Sequence, residues 1–334
     1  MALTDFDRIQ QGKRAFPAQA VARVRGWLSD HSHSGLAQRV ASAAFLIRVV
    51  SAAVIYLSQV LLARWMGTFE FGIYVYVWTW VLLFGGLFDL GLAQGAQRFI
   101  PEYIERKQPD LLRGFLSGSR WLVAGVATIA AVLAAGSVFL IAPWIDDYLV
   151  LPLYLACICL PFYALGSVQD GIGRSFNWVG LSLLPPYILR PLLLLVFLGV
   201  PHAAGFRLEA TGALLALVAS LWVTTIAQAF LLNSKLRGAV PSGPKSYEIR
   251  TWLATSLPIF MVEGFYLLLT YADIIMLEQI RGPHEVAIYY AAAKTLALVA
   301  FVNFSVSAAV AHRFSEYHVS GERERLADFL AQSI

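Results

Sequence analysis

Long apolar runs separated by short polar stretches make up the chain from about residue 43 onward. A bilayer core about 30 Å thick needs roughly 20 apolar residues per helix, and continuous helices pair all their backbone groups internally. The runs also lack the polar and apolar alternation of membrane β-strands. The pattern predicts eight transmembrane helices, at about 43–63, 72–96, 121–142, 149–169, 178–199, 211–232, 255–278 and 286–311.

The composition of the chain is typical of a membrane protein. Of its 334 residues, 58% are hydrophobic and only 14% are charged, and the mean hydropathy is +0.66. Soluble domains are about a quarter charged, so this chain has too few charges to cover a surface that faces water. The first 40 residues contain no apolar core of a signal peptide. We expect them to be a cytoplasmic arm, either disordered or forming a short amphipathic helix on the membrane.

Lysine and arginine predict the orientation. Of 25 such residues, 19 fall on one side of the predicted helices, three on the other and three within helices. Because cytoplasmic loops carry the excess of Lys and Arg, the N-terminus is expected in the cytoplasm, together with the loops 97–120, 170–177, 233–254 and 313–334. The basic charge therefore indicates topology, and no nucleic-acid partner is implied. Cys157 and Cys159, both within the fourth predicted helix, are expected to be packing residues.

The start of the chain's apolar part recurs near its end. A shift of 215 residues aligns "GTFEFGIYVY" at 67–76 with "GPHEVAIYYA" at 282–291, and Arg98-Phe99 with Arg313-Phe314. Six helices separate the copies, so both have the same orientation, as in transporters whose lobes are parallel repeats. The second copy stops where a ninth helix would begin, and we expect the chain to be truncated or partial.

The stretch "LLARWMGTFEFGIYVYVWTWVLLFGGLFDLGLAQGAQRFIPEY", from Leu61 to Tyr103, resembles the Wzx-like O-antigen and polysaccharide flippases of the multidrug/oligosaccharidyl-lipid/polysaccharide (MOP) exporter superfamily. "PYILRPLLLL" and "GPHEVAIYYAAAKTLAL" are similar to the same family. The resemblance covers the chain from about residue 40 to its end. It implies 12 to 14 helices in two lobes, so a third or more of such a transporter would be missing here.

These observations predict an all-α fold, a polytopic transmembrane bundle with a six-helix N-lobe and an incomplete C-lobe. The expected division is an arm (1–40), the N-lobe (41–233), an inter-lobe loop (234–254) and the start of the C-lobe (255–334). Within "RFIPEY", Pro101 is expected to end the second helix. The charged pair Arg98 and Glu102, like its counterpart Arg313 and Glu316, is expected at the membrane interface, with a gating role as the alternative.

Charged residues inside the predicted helices are the candidate site residues, because each is costly in lipid and normally faces a cavity or a partner. They are Arg48, Asp89, Arg190, Glu263, Asp273 and Lys294.

The three cations are expected to bind substrate. Arg48 and Lys294 suit an anionic headgroup, with a structural ion pair as the alternative. Arg190 follows two prolines that bend the fifth helix, so a cavity role and a structural role are both open.

The three acids are expected to act in gating or ion coupling. Glu263 and Asp273 share one stripe of the seventh helix, and Asp89 is expected to pair with a neighbouring base. The 215-residue shift places Glu263 at the position equivalent to Arg48, which predicts a pair that closes the cytoplasmic side.

The chain contains no nucleotide-binding or metal-binding motif, so neither an enzyme nor a cofactor is predicted. The resemblance implies a flippase for an undecaprenyl-diphosphate-linked oligosaccharide. Its implied partners are that lipid, the bilayer, and a polysaccharide polymerase or glycosyltransferases. A cation-coupled exporter of small molecules from the same superfamily is the first alternative, favoured by Glu263 and Asp273 and weakened by Arg48. A membrane partner of polysaccharide synthesis that transports nothing is the second.

Overall fold

The computed structural model describes the backbone of residues 33–297 and the side chains of residues 47–297, and this range is helical and contains no strand. The α-helices are α1 (His33–Met66), α2 (Thr68–Leu87), α3 (Leu92–Glu105), α4 (Pro109–Ile141), α5 (Asp147–Ser175), α6 (Val179–Leu184), α7 (Arg190–Ala203), α8 (Ala210–Ala239), α9 (Ile249–Arg281) and α10, which begins at residue 283 and is described to residue 297. A 3₁₀ turn, Ala142–Trp144, follows α4, and a π-helical turn, Pro185–Leu189, joins α6 to α7.

Seven helical segments within the described range are long and apolar enough to cross a bilayer. Large apolar side chains such as Phe139 and Leu269 lie on the outside of the bundle, 72% and 83% exposed, where only lipid or another apolar surface suits them. The prediction of an all-α, polytopic helix bundle is therefore confirmed. The eighth predicted helix, 286–311, begins in α10, and its second half lies outside the described residues.

The second membrane segment is two helices, because the chain breaks between α2 and α3. Leu90 and Gly91 adopt φ angles of 57° and 69°, a left-handed conformation that ends α2. The carboxylate of Asp89 then accepts a hydrogen bond from the backbone N–H of Gly91, 2.8 Å away. Such a carboxylate satisfies a backbone donor that has no partner within the helix. The break therefore has a local, sequence-encoded cause.

Pro101 lies inside α3, which continues to Glu105, so the prediction that Pro101 ends this helix is wrong. A proline within a helix removes one backbone hydrogen bond and strains the turn before it. The packing of α3 holds the helix together around that defect, because Phe99, Ile100 and Tyr103 are all buried. The connection from α3 to α4 consists of residues 106–108 only.

The turns at Gly67 and Gly282 are equivalent, in agreement with the 215-residue repeat. Their φ angles are 77° and 79°, which only glycine adopts readily, and each joins two helices through a single residue. Gly67 N–H donates to Ala63 O and Gly282 N–H to Glu278 O, four residues back in both cases. The aligned pair of Arg313 and Glu316 lies outside the described residues.

Helix α5 lies at the centre of the bundle and packs against α2, α3, α4 and α8. Cys157 and Cys159 are buried there as free thiols, so their expected packing role is confirmed. Helix α9 lies along α2 and α3. At one end of this contact, the Trp252 indole N–H donates to the Tyr103 hydroxyl at 2.9 Å, and toward the other end the Gln279 amide donates to the Tyr76 hydroxyl at 3.1 Å.

The linker between α8 and α9, residues 240–248, is fixed to the start of α4. Arg113 donates to the carbonyl oxygens of Pro244 at 2.7 Å and Pro241 at 3.0 Å. The backbone N–H of Ser246 donates to the carbonyl oxygen of Asp110 at 3.0 Å. Two side-chain bonds and one backbone bond thus hold an irregular segment on a helix.

Candidate functional site

A polar cavity of about 100 Å³ lies between α5, α8 and the π-helical turn. Its polar lining comprises Tyr163, Ser167 and Asp170 from α5, Tyr187 and Arg190 from the turn and the start of α7, and Thr224, Thr225 and Gln228 from α8. The α5 residues follow one another at four and three positions, and the α8 residues at one and three. Helical spacing of this kind aligns side chains on one face. The cavity therefore arises from two polar faces that meet inside an apolar bundle.

Arg190 contributes the positive charge of this cavity. Its guanidinium lies 5.3 Å from the centre of the Trp78 ring and 5.7 Å from that of the Tyr163 ring. Aromatic faces attract a cation without neutralising it. Among the described residues, no carboxylate forms an ion pair with Arg190. Its guanidinium has five N–H donors, and Arg190 lies in the lining of the cavity.

Asp170 is a cavity residue that the sequence did not reveal. One of its carboxylate oxygens forms an ion pair with Arg174 at 3.0 Å, and the other is buried with no hydrogen-bond partner within the described part of the chain. The neighbouring amide of Gln169, 1% exposed, has no partner there either. Unsatisfied buried polar groups are unusual and mark places where water, an ion or a ligand is received.

Arg48 lines a second cavity, of about 250 Å³, between α1 and the end of α6. Its lining includes Ser51, whose hydroxyl donates to the carbonyl oxygen of Arg48 at 2.8 Å, and the Arg48 side chain is exposed. Tyr187 lines this cavity as well as the first one. Arg48 and Arg190 thus lie in two adjacent cavities that share one tyrosine.

The break between α2 and α3 lies beside α9, which carries the acid Glu263. Asp89, 6% exposed, accepts a second hydrogen bond from the Ser167 hydroxyl at 2.7 Å. The predicted pairing of Asp89 with a base is therefore wrong for the described residues, where a hydroxyl and a backbone N–H satisfy the carboxylate instead. Glu263 accepts a hydrogen bond from the Gln94 amide at 2.8 Å. No ion pair joins Glu263 to Arg48 within the same range.

A family model described as "Polysaccharide biosynthesis protein" matches residues 39–318 of the chain. The chain belongs to the polysaccharide biosynthesis protein family. No curated protein and no solved structure matches it. Together with the seven membrane-spanning segments, this membership makes the chain a multi-pass membrane protein of polysaccharide biosynthesis.

The last two candidate residues of this polysaccharide biosynthesis protein are Asp273 on α9 and Lys294 on α10. The carboxylate of Asp273 accepts a hydrogen bond from the Tyr289 hydroxyl, and the Lys294 ammonium lies 4.9 Å from the centre of the Tyr290 ring. They form no ion pair with each other. Arg48 and Arg190 thus line cavities that share Tyr187, and Asp89 and Glu263 lie near the helix break. Asp273 on α9 and Lys294 on α10 contact two different tyrosines of α10.

The charged signature at the end of α3 forms a local cluster in this family member. Glu102 accepts from Arg106 at 2.8 Å and lies 4.0 Å from Arg98, and the arginine side chains are about two-thirds exposed. Ion pairs of such exposure contribute roughly 0–1 kcal/mol. This geometry suits a helix end at the membrane surface.

Proposed function

We propose that this chain moves an undecaprenyl-diphosphate-linked oligosaccharide from the cytoplasmic to the outer leaflet of the bacterial cytoplasmic membrane. The observation that carries the proposal is the placement of Arg48 and Arg190 in adjacent cavities of a membrane bundle. Asp170 also lines the Arg190 cavity but is paired with Arg174, and no carboxylate among the described residues lies within ion-pair distance of Arg48 or Arg190. A diphosphate headgroup requires positive charge in a polar cavity. Arginine supplies it through bidentate hydrogen bonds to phosphate oxygens.

The energetics favour a ligand for these arginines. A charged side chain within a membrane is costly unless it faces water or a partner, and neither arginine has an ion-pair partner within the described range. An anionic headgroup would offset it, while the lipid tail stays in the bilayer and the sugars cross through the polar interior. Lys294, held over Tyr290 and without an ion-pair partner in the described range, is the third cation assigned to the substrate path.

The remaining features of the proposal follow the sequence. The distribution of Lys and Arg supports a cytoplasmic N-terminus, which is the orientation proposed for this flippase. The chain performs no covalent chemistry, needs no cofactor, and works with a polysaccharide polymerase or glycosyltransferases on either side of the transport step.

Chromosomal variants test this function. Arg48→Ala and Arg190→Ala, singly and together, are expected to reduce surface polysaccharide at least ten-fold and to cause lipid-linked precursor to accumulate in the inner leaflet. Arg237→Ala is the matched control, because that arginine lies near the end of α8 away from both cavities. Wild-type amounts of surface polysaccharide in a stably inserted double variant would refute the proposal.

A cation-coupled exporter is the second candidate, and the acids at the helix break favour it. Asp89 is buried, and Glu263 is bound to the neutral amide of Gln94, so neither carboxylate is neutralised by a base in the described range. In that case, export of a small molecule from proteoliposomes should require a sodium or proton gradient. Arg48→Ala should then leave export intact, while Asp89→Asn and Glu263→Gln should abolish it.

A further inference from the structure

Tyr187 lines both arginine cavities. Its side chain lines the 100 Å³ cavity of Arg190 and the 250 Å³ cavity of Arg48, and it is the one residue that the linings of these two cavities share. Tyr187 is therefore the residue at which the two polar spaces adjoin, with an arginine in the lining of each.

The backbone beneath Tyr187 is suited to a displacement of this residue. Residues Pro185–Leu189 form a π-helical turn, and the N–H of Arg190 donates to the carbonyl oxygen of Pro185, five residues back. Pro185 and Pro186 have no N–H to donate, so the hydrogen-bond ladder is interrupted where Tyr187 is attached. π-helical turns are rare and occur frequently at functional sites. Tyr187 lies within this turn and Arg190 directly follows it, so the turn sets the backbone position of both residues.

The hydroxyl of Tyr187 is free to bind a ligand. The residue is 40% exposed, and its hydroxyl makes no hydrogen bond to the described residues, unlike those of Tyr76, Tyr103 and Tyr289. A phenol O–H is a good donor to an anionic oxygen. The chemistry that Tyr187 adds between two guanidinium groups is therefore that of a third, neutral donor.

We propose that Tyr187 is a movable partition whose displacement merges the two cavities into one site for a diphosphate group, with Arg48 and Arg190 on its two sides and the Tyr187 hydroxyl donating to it. The identity of the ligand rests on the function proposed above, whereas the partition rests on the cavities alone. In this arrangement Tyr187 is a positioning and binding residue. It makes the full cationic site available only when the π-helical turn moves.

Cysteine accessibility tests the partition without any transport assay. On a background in which Cys157 and Cys159 are replaced by Ala, Ala52→Cys reports on the Arg48 cavity and Thr224→Cys on the Arg190 cavity. With Tyr187 in place, a small anionic methanethiosulfonate reagent should modify position 52, which is partly exposed, faster than position 224, since Thr224 is 3% exposed. Tyr187→Ala should accelerate modification at position 224 at least ten-fold, and Tyr187→Phe, which keeps the ring, should leave it unchanged.

Two further variants keep this test decisive. Tyr154→Ala, on α5 and in the lining of neither cavity, should leave both rates unchanged. Tyr187→Val carries the same test if the alanine variant does not fold, and Tyr187→Trp should slow modification at position 224. Equal rates at position 224 with Tyr187 and with a folded Ala or Val variant would overturn the partition.

Inorganic pyrophosphate tests the ligand separately. Millimolar pyrophosphate should slow modification at both reporter positions, and Arg48→Ala or Arg190→Ala should abolish this protection. Tyr187→Phe should raise the half-protecting concentration about ten-fold, as expected for one lost hydrogen bond to a charged group. If the partition variants behave as expected but pyrophosphate never protects, the diphosphate assignment fails and the partition remains.

Discussion

The amide of Gln94 on α3 donates a 2.8 Å hydrogen bond to the carboxylate of Glu263 on α9, 169 residues further along the chain. This bond joins the helix that follows the break in the second membrane segment to the seventh segment. The amide oxygen of Gln94 is buried and has no partner in the described part of the chain. The contact therefore consists of a single hydrogen bond, in which Gln94 donates and Glu263 accepts. Removal of either side chain leaves the other group unsatisfied.

A double-mutant cycle measures this bond. Glu263→Ala and Gln94→Ala should each destabilise the protein, and the two changes together should cost less than their sum by about 1 kcal/mol, since the second no longer removes a bond. Glu263→Gln keeps a carbonyl acceptor and should retain most of the stability. Unfolding of the purified protein in detergent provides the measurement. Strict additivity would show that the bond does not form in the membrane protein.

The buried contact between Trp252 and Tyr103 predicts a cost for the loss of one hydroxyl. Tyr103→Phe removes the acceptor of an indole N–H on a side chain that is 0% exposed, so about 1–3 kcal/mol of stability should be lost. Tyr247→Phe is the control, because Tyr247 is 52% exposed and its hydroxyl makes no hydrogen bond within the described range. Thermal unfolding of both variants gives the comparison, and equal midpoints would contradict the prediction.

Gly91 is the residue that the helix break requires. A methyl group at this position would lie 2.8 Å from the carbonyl oxygen of Ser256, and the backbone has a φ angle of 69°. Gly91→Ala should therefore cost about 1–3 kcal/mol and loosen the contact of α3 with α9. Gly136→Ala, in the interior of α4 with open space around it, should be neutral or stabilising by up to about 1 kcal/mol.

The predicted orientation can be tested with single cysteines on the cysteine-free background. Ser242, exposed in the linker between α8 and α9, should be cytoplasmic, and Ala204, exposed beyond the end of α7, should face outward. An impermeant maleimide added to intact cells should therefore label Ala204→Cys and leave Ser242→Cys unlabelled until the membrane is permeabilised. The reverse pattern would invert the topology.

The membrane helices could be predicted because lipid restricts the chain so strongly. Every apolar run of sufficient length within the described range became a helix, since an unpaired backbone group in the bilayer is too costly. The break at Asp89, Leu90 and Gly91 also had a local signal, a carboxylate two residues before a glycine. Pro101 is the stronger helix-breaking signal in the sequence, but tertiary packing accommodates it within α3.

The polar cavity of Arg190 was only half predictable. The fourth segment was expected to end at residue 169, which assigned Asp170 to a loop, but its ion pair with Arg174 one turn later belongs to a helix that continues to Ser175. Polar residues at helical spacing on α8 (Thr224, Thr225 and Gln228) were a usable signal. The position of Tyr187 in the linings of both cavities could not be predicted, because a π-helical turn depends on how neighbouring helices pack around the two prolines.

Arg113 limits how far the start of α9 can move away from α4. A free linker over residues 240–248 could extend about 30 Å, at roughly 3.3–3.6 Å for each residue. Because Arg113 holds the carbonyl of Pro244 and Asp110 holds the N–H of Ser246, only residues 247 and 248 remain loose, and they allow roughly 7 Å. The start of the seventh segment can therefore move only a short distance. Any rearrangement that carries this end of α9 farther must first release the linker from α4.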